Sequence, residues 1–212
     1  RLARVLEQIK PDLVFATYGM NDGIYLPLDE IRFQKFKEGM IWMHEQVESS
    51  GANIIHITPS LYEEKMNENS GYGKVLDEYS QWLIEQKNWQ VIDSHRALQK
   101  YLTTELKKDK TFRISKDGIH PGDQGHWIIA KEILRYLGAK KISRINSVEK
   151  MLEPVKNPKA FFDLVIERHN ILKNAWLTQI GHKRPEMKMG LALTEANLQA
   201  TDLMKKMKEF TP

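Results

Sequence analysis

Apolar residues recur along this chain in two alternating rhythms. Leu2, Val5, Leu6 and Ile9 return at helical spacing until Pro11 stops the pattern, so the chain opens inside a helix. PDLVFATYG, ending at Gly19, is a short apolar run that reads as a buried strand, and MNDGIYLPL is the loop after it. Residues 29–50 carry Ile31, Phe33, Phe36, Met40, Ile41, Met43 and Val47 on a long amphipathic helix that Gly51 ends. ANIIHITP is a second buried strand, closed by Pro59. Residues 73–87 give another amphipathic helix, with Val75, Leu76, Tyr79, Trp82 and Leu83 on its apolar face. WQVIDSH reads as a third strand, residues 95–107 as a further helix. The DGIHP loop then leads into a helix over residues 123–137, with Asp123 suited to cap it.

Strands alternating with helices predict an α/β fold, a three-layer sandwich whose parallel sheet is covered on both faces. In such sheets the ligand site lies beyond the carboxyl ends of the strands. The MNDG and DGIHP loops are both expected to open on that edge. After Ile145 no strand-like run remains. Residues 158–180 form one long helix, and LTEANLQATDLMKKMKEF another, with Thr194 and Glu195 near its start. Residues 1–145 are therefore the α/β portion and residues 146–212 a helical extension expected to pack on it.

Composition narrows the class. The 212 residues, 41% of them apolar, suit one ordinary domain with an appendage. The 32 basic and 28 acidic residues are spread along the chain, for a net charge of +4. No basic stripe with interleaved aromatics stands out, so nucleic acid is not an expected partner. The run at 107–110 and the pair Lys140 and Lys141 read as solvated helix ends. Without cysteine, disulfides, thiol catalysis and Cys-based zinc sites are excluded. No apolar run is long enough for a membrane span. The chain begins with Arg1 rather than Met, and a natural start with any targeting signal is expected upstream. A periplasmic or secreted location is expected in preference to a cytoplasmic one.

Two short stretches carry chemistry. In GMND, residues 19–22, a strand ends in Gly and then offers Asn21. A side-chain amide is a neutral donor that suits an oxyanion, whereas the plainer role for Asn21 and Asp22 is an Asx turn. In DGIHPGDQGH, residues 117–126, Asp117 stands three residues before His120. That spacing can bring the carboxylate to Nδ1 of the ring and leave the other nitrogen free as a general base. The plainer role is a capped helix start with a surface histidine. Asp117, His120, Asp123 and His126 are also metal-binding types, but a Pro and a helix start fall between them, which works against convergence on one ion.

Taken together and in this order, the two stretches resemble the SGNH hydrolases, also called GDSL-like esterases and lipases. PDLVFATYGMND looks like that family's G-x-N-D block, and DGIHPGDQGHWIIAKEIL like its D-x-x-H-P block followed by a helix. The resemblance covers residues 1–138 and implies a flavodoxin-like parallel sheet. Carried over, it implies that Asn21 donates to the oxyanion together with two backbone N–H groups. It implies equally that His120 is the general base and Asp117 the carboxylate that orients it. The family's G-D-S block, which holds the nucleophile, is not among these residues, nor is its second block. None of the serines at 49, 50, 60, 70, 80, 94, 115, 143 and 147 has that setting, Ser70 in NSGYG being the nearest substitute. The family's first two strands and the nucleophile are therefore expected upstream of Arg1, and the missing N-terminal segment of the same protein is an expected partner of this chain. Without it the chain alone is expected to be inactive.

The implied function is a serine esterase acting on acyl or acetyl esters of a small molecule or oligosaccharide, with no cofactor. Tyr18, Tyr25, Trp42 and Trp127 lie near the two blocks and offer aromatic faces for sugar rings, or belong to the core. No long apolar loop suggests a lipid-binding lid. His182 and Arg184, in the turn WLTQIGHKRP, are candidate substrate contacts. His56 reads as a core histidine and His95 as a cap for the helix after the third strand. The alternatives are a carbohydrate-binding protein that has lost its nucleophile and a metal-dependent hydrolase.

Overall fold

The computed structural model describes residues 2–64 and 71–210, and the chain divides into two compact units, Arg1–Arg144 and Ile145–Pro212. In the first unit α1 (Leu2–Ile9) leads into β1 (Leu13–Thr17), followed by α2 (Glu30–Ser49), β2 (Asn53–Ile57), α3 (Tyr72–Ile84) and β3 (Gln90–Ile92). Two further helices close it, α4 (Ser94–Lys108) and α5 (Asp123–Tyr136), with a short 3-10 turn at Lys140–Arg144. The strands form a parallel sheet in the order β1-β2-β3, with Leu13 opposite Asn53 and Ile57 opposite Ile92. Helices flank both faces, so the unit is a three-layer α/β sandwich of the expected class.

One face of the sheet carries the main core. Ala16 and Ile54 meet Phe33, Phe36, Met40, Met43 and Val47 of α2 and Val75, Leu76, Tyr79 and Leu83 of α3, with Leu6 of α1. Phe33 and Phe36 stack on Tyr79 at centroid distances of 4.9 and 4.3 Å. Aromatic pairs of this kind add about 0.5–1.5 kcal/mol beyond their buried area. On the opposite face Ile55, Ile57 and Ile92 lie beneath Ile133 of α5. Leu98 of α4, Ile114 and Ile128 of α5 form a third cluster. The register puts Leu13 and Phe15 of β1 on the same face as Ile55 and Ile57, yet they are 38% and 41% exposed. Among the described residues β1 is thus an edge strand with one face open.

Element ends differ from the sequence expectation where a polar side chain decides them. Residues 93–95 are not strand, because Asp93 accepts the Arg96 N–H at 3.0 Å and starts α4. His95 consequently lies inside that helix and does not cap it. Gly122, not Asp123, is the N-cap of α5 and makes no side-chain cap bond. Asp123 already has helical backbone, so its carboxylate sits in the first turn, where the helix dipole favours it. Ile31 and Ile41 face outwards on α2, 69% and 41% exposed.

The second unit holds α6 (Val148–Leu152), α7 (Pro158–Gln179) and α8 (Leu193–Lys208). Asn157 caps α7 through the Ala160 N–H at 3.3 Å, and Pro158 takes the first position, where its missing N–H costs nothing. Ala175, Ala196, Ala200 and Leu203 are buried where α7 and α8 pack. The Gly190 N–H donates to Thr178 Oγ1 at 2.8 Å and the Lys156 N–H to the Phe210 carbonyl at 3.0 Å, tying the connecting segments down. Among the described residues no helix is long and apolar enough to cross a membrane.

Candidate active site

β1 delivers the chain to Gly19, whose φ of +117° suits glycine and whose missing side chain leaves room for the Pro59 ring, 3.1 Å from where a Cβ would stand. The chain then turns through Met20, Asn21 and Asp22. Asp22 Oδ2 accepts the Gly19 N–H at 2.9 Å, so Asp22 makes the turn and leaves the Asn21 side chain out of it. Asn21 is exposed, and its Oδ1 accepts the Tyr25 hydroxyl at 2.6 Å. A cleft of about 440 Å³ opens here, lined by Thr17 to Asp22 together with Pro59 and Ser60 beyond the end of β2. It lies at the carboxyl ends of β1 and β2, where parallel sheets place ligands.

The Pro59 wall of this cleft is anchored from behind. His95 Nδ1 meets the Pro59 carbonyl at 3.1 Å and Nε2 meets Asp77 Oδ1 at 2.8 Å. Both ring nitrogens of this buried histidine are therefore engaged. The Thr58 and Ser94 hydroxyls add bonds at the same place: Ser94 Oγ donates to the Thr58 carbonyl at 2.8 Å, and Thr58 Oγ1 accepts the His95 N–H at 2.9 Å.

Asp117 and His120 are in contact, Oδ2 to Nδ1, at 2.6 Å. Gly118, at φ +81°, allows the tight path between them. Asp117 Oδ1 meanwhile accepts three donors: the Ser115 hydroxyl at 2.9 Å, the Ile119 N–H at 2.9 Å and the His120 N–H at 2.8 Å. The bond to the His120 side chain, then the two backbone N–H groups and the Ser115 hydroxyl, hold the Asp117 carboxyl well below the usual carboxylate range. Among the described residues the rest of the His120 ring has no hydrogen-bond partner, and its side chain is 81% exposed. Among the described residues no serine hydroxyl is hydrogen-bonded to His120. Nδ1 is thus fixed by the carboxylate, while among the described residues Nε2 has no hydrogen-bond partner.

Residues 60–63 run between the two stretches. The Glu63 N–H donates to the Gly118 carbonyl at 2.9 Å, and the Glu63 carboxylate accepts the Ser115 N–H at 2.6 Å. Burial pushes the Glu63 carboxyl up, against the bonds from Ser115 and Ile114 that pull it down. Tyr62, one residue earlier, packs its ring against Tyr25 at 6.0 Å. Glu63, Tyr25 and Tyr72 were not signalled as site residues by sequence spacing. Tyr25 was visible only as one aromatic among several.

Other expected residues fall elsewhere. Trp127 is 4% exposed and belongs to the core, so it offers no face to a sugar. Tyr18 lines the cleft and is 54% exposed, and Trp42 is exposed on α2. Asp123 and His126 sit in the first turn of α5, and no group of three or more side chains able to hold a metal ion is found among the described residues. His56 is fully buried but only half satisfied: Nε2 meets His44 Nδ1 at 3.0 Å while Nδ1 has no hydrogen-bond partner among the described residues. Ser70 lies outside the described residues. His182 and Arg184 follow α7 in the second unit, in the turn that begins at Gly181 with φ +64°. A groove of about 510 Å³ in that unit, between α7 and α8, carries Arg168, His169 and Trp176 but no carboxylate–histidine pair.

The family model described as GDSL-like Lipase/Acylhydrolase matches residues 1–133 of this chain. No curated protein matches it. Among solved structures, a catalytic mutant of an acetylxylan esterase from Geobacillus stearothermophilus is similar at 24% identity, covering 64% of this chain and 67% of that one, with a TM-score of 0.48. A member of the lipolytic protein G-D-S-L family from Veillonella parvula is similar at 15% identity over 63% of this chain and 70% of that one, TM-score 0.48. An alpha/beta hydrolase enzyme from the metagenome of Lake Arreo, Spain, is similar at 22% identity over 63% and 62%, TM-score 0.44.

Proposed function

Given that the chain belongs to the GDSL-like lipase/acylhydrolase family, we propose that it serves a serine esterase that removes acyl groups, chiefly acetyl, from carbohydrate, with the nucleophile upstream of residue 1. The observation that carries this reading is the 2.6 Å contact between Asp117 Oδ2 and His120 Nδ1, with the remainder of the ring open. The serine Oγ attacks the ester carbonyl carbon and its proton passes to His120 Nε2. Asp117 accepts the Nδ1–H bond, keeps the ring in the productive tautomer and stabilises the imidazolium. The carbonyl oxygen becomes an oxyanion and takes the Asn21 amide N–H as a donor. Collapse breaks the bond to the sugar oxygen, which leaves with the proton from His120. Water then attacks the acyl-enzyme by the same steps and releases the acid and the serine. These steps call on no metal and no organic cofactor.

The choice of carbohydrate rests on the cleft. Asn21, Asp22 and Ser60 give it polar groups and Tyr18 an exposed aromatic face, a combination that suits a hydroxyl-rich ring more than an acyl chain. The test is a fluorophosphonate probe on the intact gene product, with the adduct mapped by mass spectrometry in the presence and absence of chelator. The expected result is an adduct on a serine preceding Arg1, insensitive to chelator and lost in His120→Ala. If no serine reacts while acetylated oligosaccharides still bind, the cleft is a binding site and the catalytic roles fall.

A further inference from the structure

Asn21 owes its orientation to a neighbour four residues on. The backbone from Asn21 to Tyr25 contains two successive non-glycine residues in the left-handed region, Ile24 at φ +51° and Tyr25 at φ +59°. A β-branched residue there is a true outlier, and residues held this way are strained. Such strain persists only where surrounding bonds enforce it. Here they do. The Tyr72 hydroxyl, in the core at the start of α3, donates to the Met20 carbonyl at 2.6 Å and accepts the Gly23 N–H at 3.1 Å. The Tyr25 ring packs on Tyr72 at 5.1 Å and on Tyr62 at 6.0 Å. The left-handed pair folds the chain back, so that the Tyr25 hydroxyl reaches Asn21 Oδ1 at 2.6 Å.

An amide that donates to an oxyanion has to present its N–H side and not its carbonyl. Asn21 is exposed and its amide could turn freely in water. A phenol donating to Oδ1 fixes one side of the amide plane and leaves Nδ2 as the free donor side. We propose that Tyr25 is the positioning residue of Asn21, its hydroxyl holding Oδ1 so that the amide N–H stays aimed into the cleft. The assignment rests on the esterase reading for its catalytic consequence, but the contact itself does not.

Tyr25→Phe deletes one oxygen and keeps the ring against Tyr62 and Tyr72, so the fold and the melting temperature stay the same. In the intact esterase, hydrolysis of 4-nitrophenyl acetate by Tyr25→Phe falls roughly tenfold in kcat, the size of one hydrogen bond, with KM unchanged. In an Asn21→Ala background the same substitution costs nothing further, because Tyr25 acts only through the amide. The side-chain NH₂ resonances of Asn21, identified by their loss in Asn21→Ala, shift in Tyr25→Phe. An unchanged kcat in Tyr25→Phe, or a loss that persists undiminished without Asn21, overturns the proposal. If the wild type hydrolyses no ester at all, the esterase reading fails, and the amide resonances then decide on their own: a shift upholds the contact and no shift removes it.

Discussion

The carboxylate of Glu63 accepts the backbone N–H of Ser115 at 2.6 Å across a separation of 52 residues. Its own N–H returns a bond to the Gly118 carbonyl at 2.9 Å. The loop bearing Asp117 and His120 is therefore clamped on both sides of Asp117 by one buried residue. Glu63→Ala leaves buried N–H groups unpaired, which should lower stability by about 1–3 kcal/mol. Urea unfolding followed by tryptophan fluorescence measures this. Glu63→Gln keeps an acceptor and should recover part of the loss. Equal stability of all three proteins would mean that the clamp contributes nothing.

Asp117 remains ionised far into acid because His120, two backbone N–H groups and Ser115 all favour its charged form. A depressed folded pKa gives stability that is present above the ordinary carboxylate range and lost progressively as pH falls from that range to the folded value. No acid limb from Asp117 should therefore appear in an esterase pH profile above pH 4. Asp117→Asn removes the charge that stabilises the imidazolium and should cut kcat by roughly 10²–10⁴. A variant retaining half the activity would remove Asp117 from the mechanism.

Asn21→Ala should lower kcat by roughly 10²–10³ with little change in KM, as for loss of one donor to an oxyanion. The measurement is steady-state hydrolysis of an acetylated oligosaccharide and of 4-nitrophenyl acetate. A rise in KM at constant kcat would instead make Asn21 a ground-state contact.

His56 is an acid-sensitive point of the core. Burial, and then the neighbouring His44, lower its pKa from 6.5 to about 4. His44 faces it at 3.0 Å, Glu48 meets the far side of His44 at 3.3 Å, and the Trp89 ring stacks on His56 at 4.3 Å. The unfolded chain takes up the proton first, so this contribution is complete above about pH 6.5 and shrinks as pH falls towards 4, by on the order of 3 kcal/mol. Urea titrations at pH 7 and pH 4.5 should show the difference, and His56→Phe should reduce it. An identical pH dependence in that variant would contradict the assignment.

What the sequence shows and what it hides follow the range of each interaction. The buried face of α2 is legible from Phe33, Phe36, Met40, Met43 and Val47 because helical periodicity is local, though Ile31 and Ile41 share the pattern and face water. The contact between Asp117 and His120 is legible because three residues and a Gly fix it. β3 is shorter than its apolar run because Asp93 finds a better use for its carboxylate as a cap. The bond between Tyr25 and Asn21 needs two left-handed residues that no residue type announces. The reach of Glu63 to Ser115 depends on the packed fold and leaves no spacing to read.

Tyr62 and Glu63 are neighbours in the chain, yet one braces Tyr25 beside Asn21 and the other clamps the loop of His120. A single peptide unit, about 3.8 Å between Cα atoms, thus links the brace beside Asn21 to the clamp on the loop of His120. An insertion or deletion between the two would shift brace against clamp by up to about 3.8 Å per residue, more than a hydrogen bond tolerates.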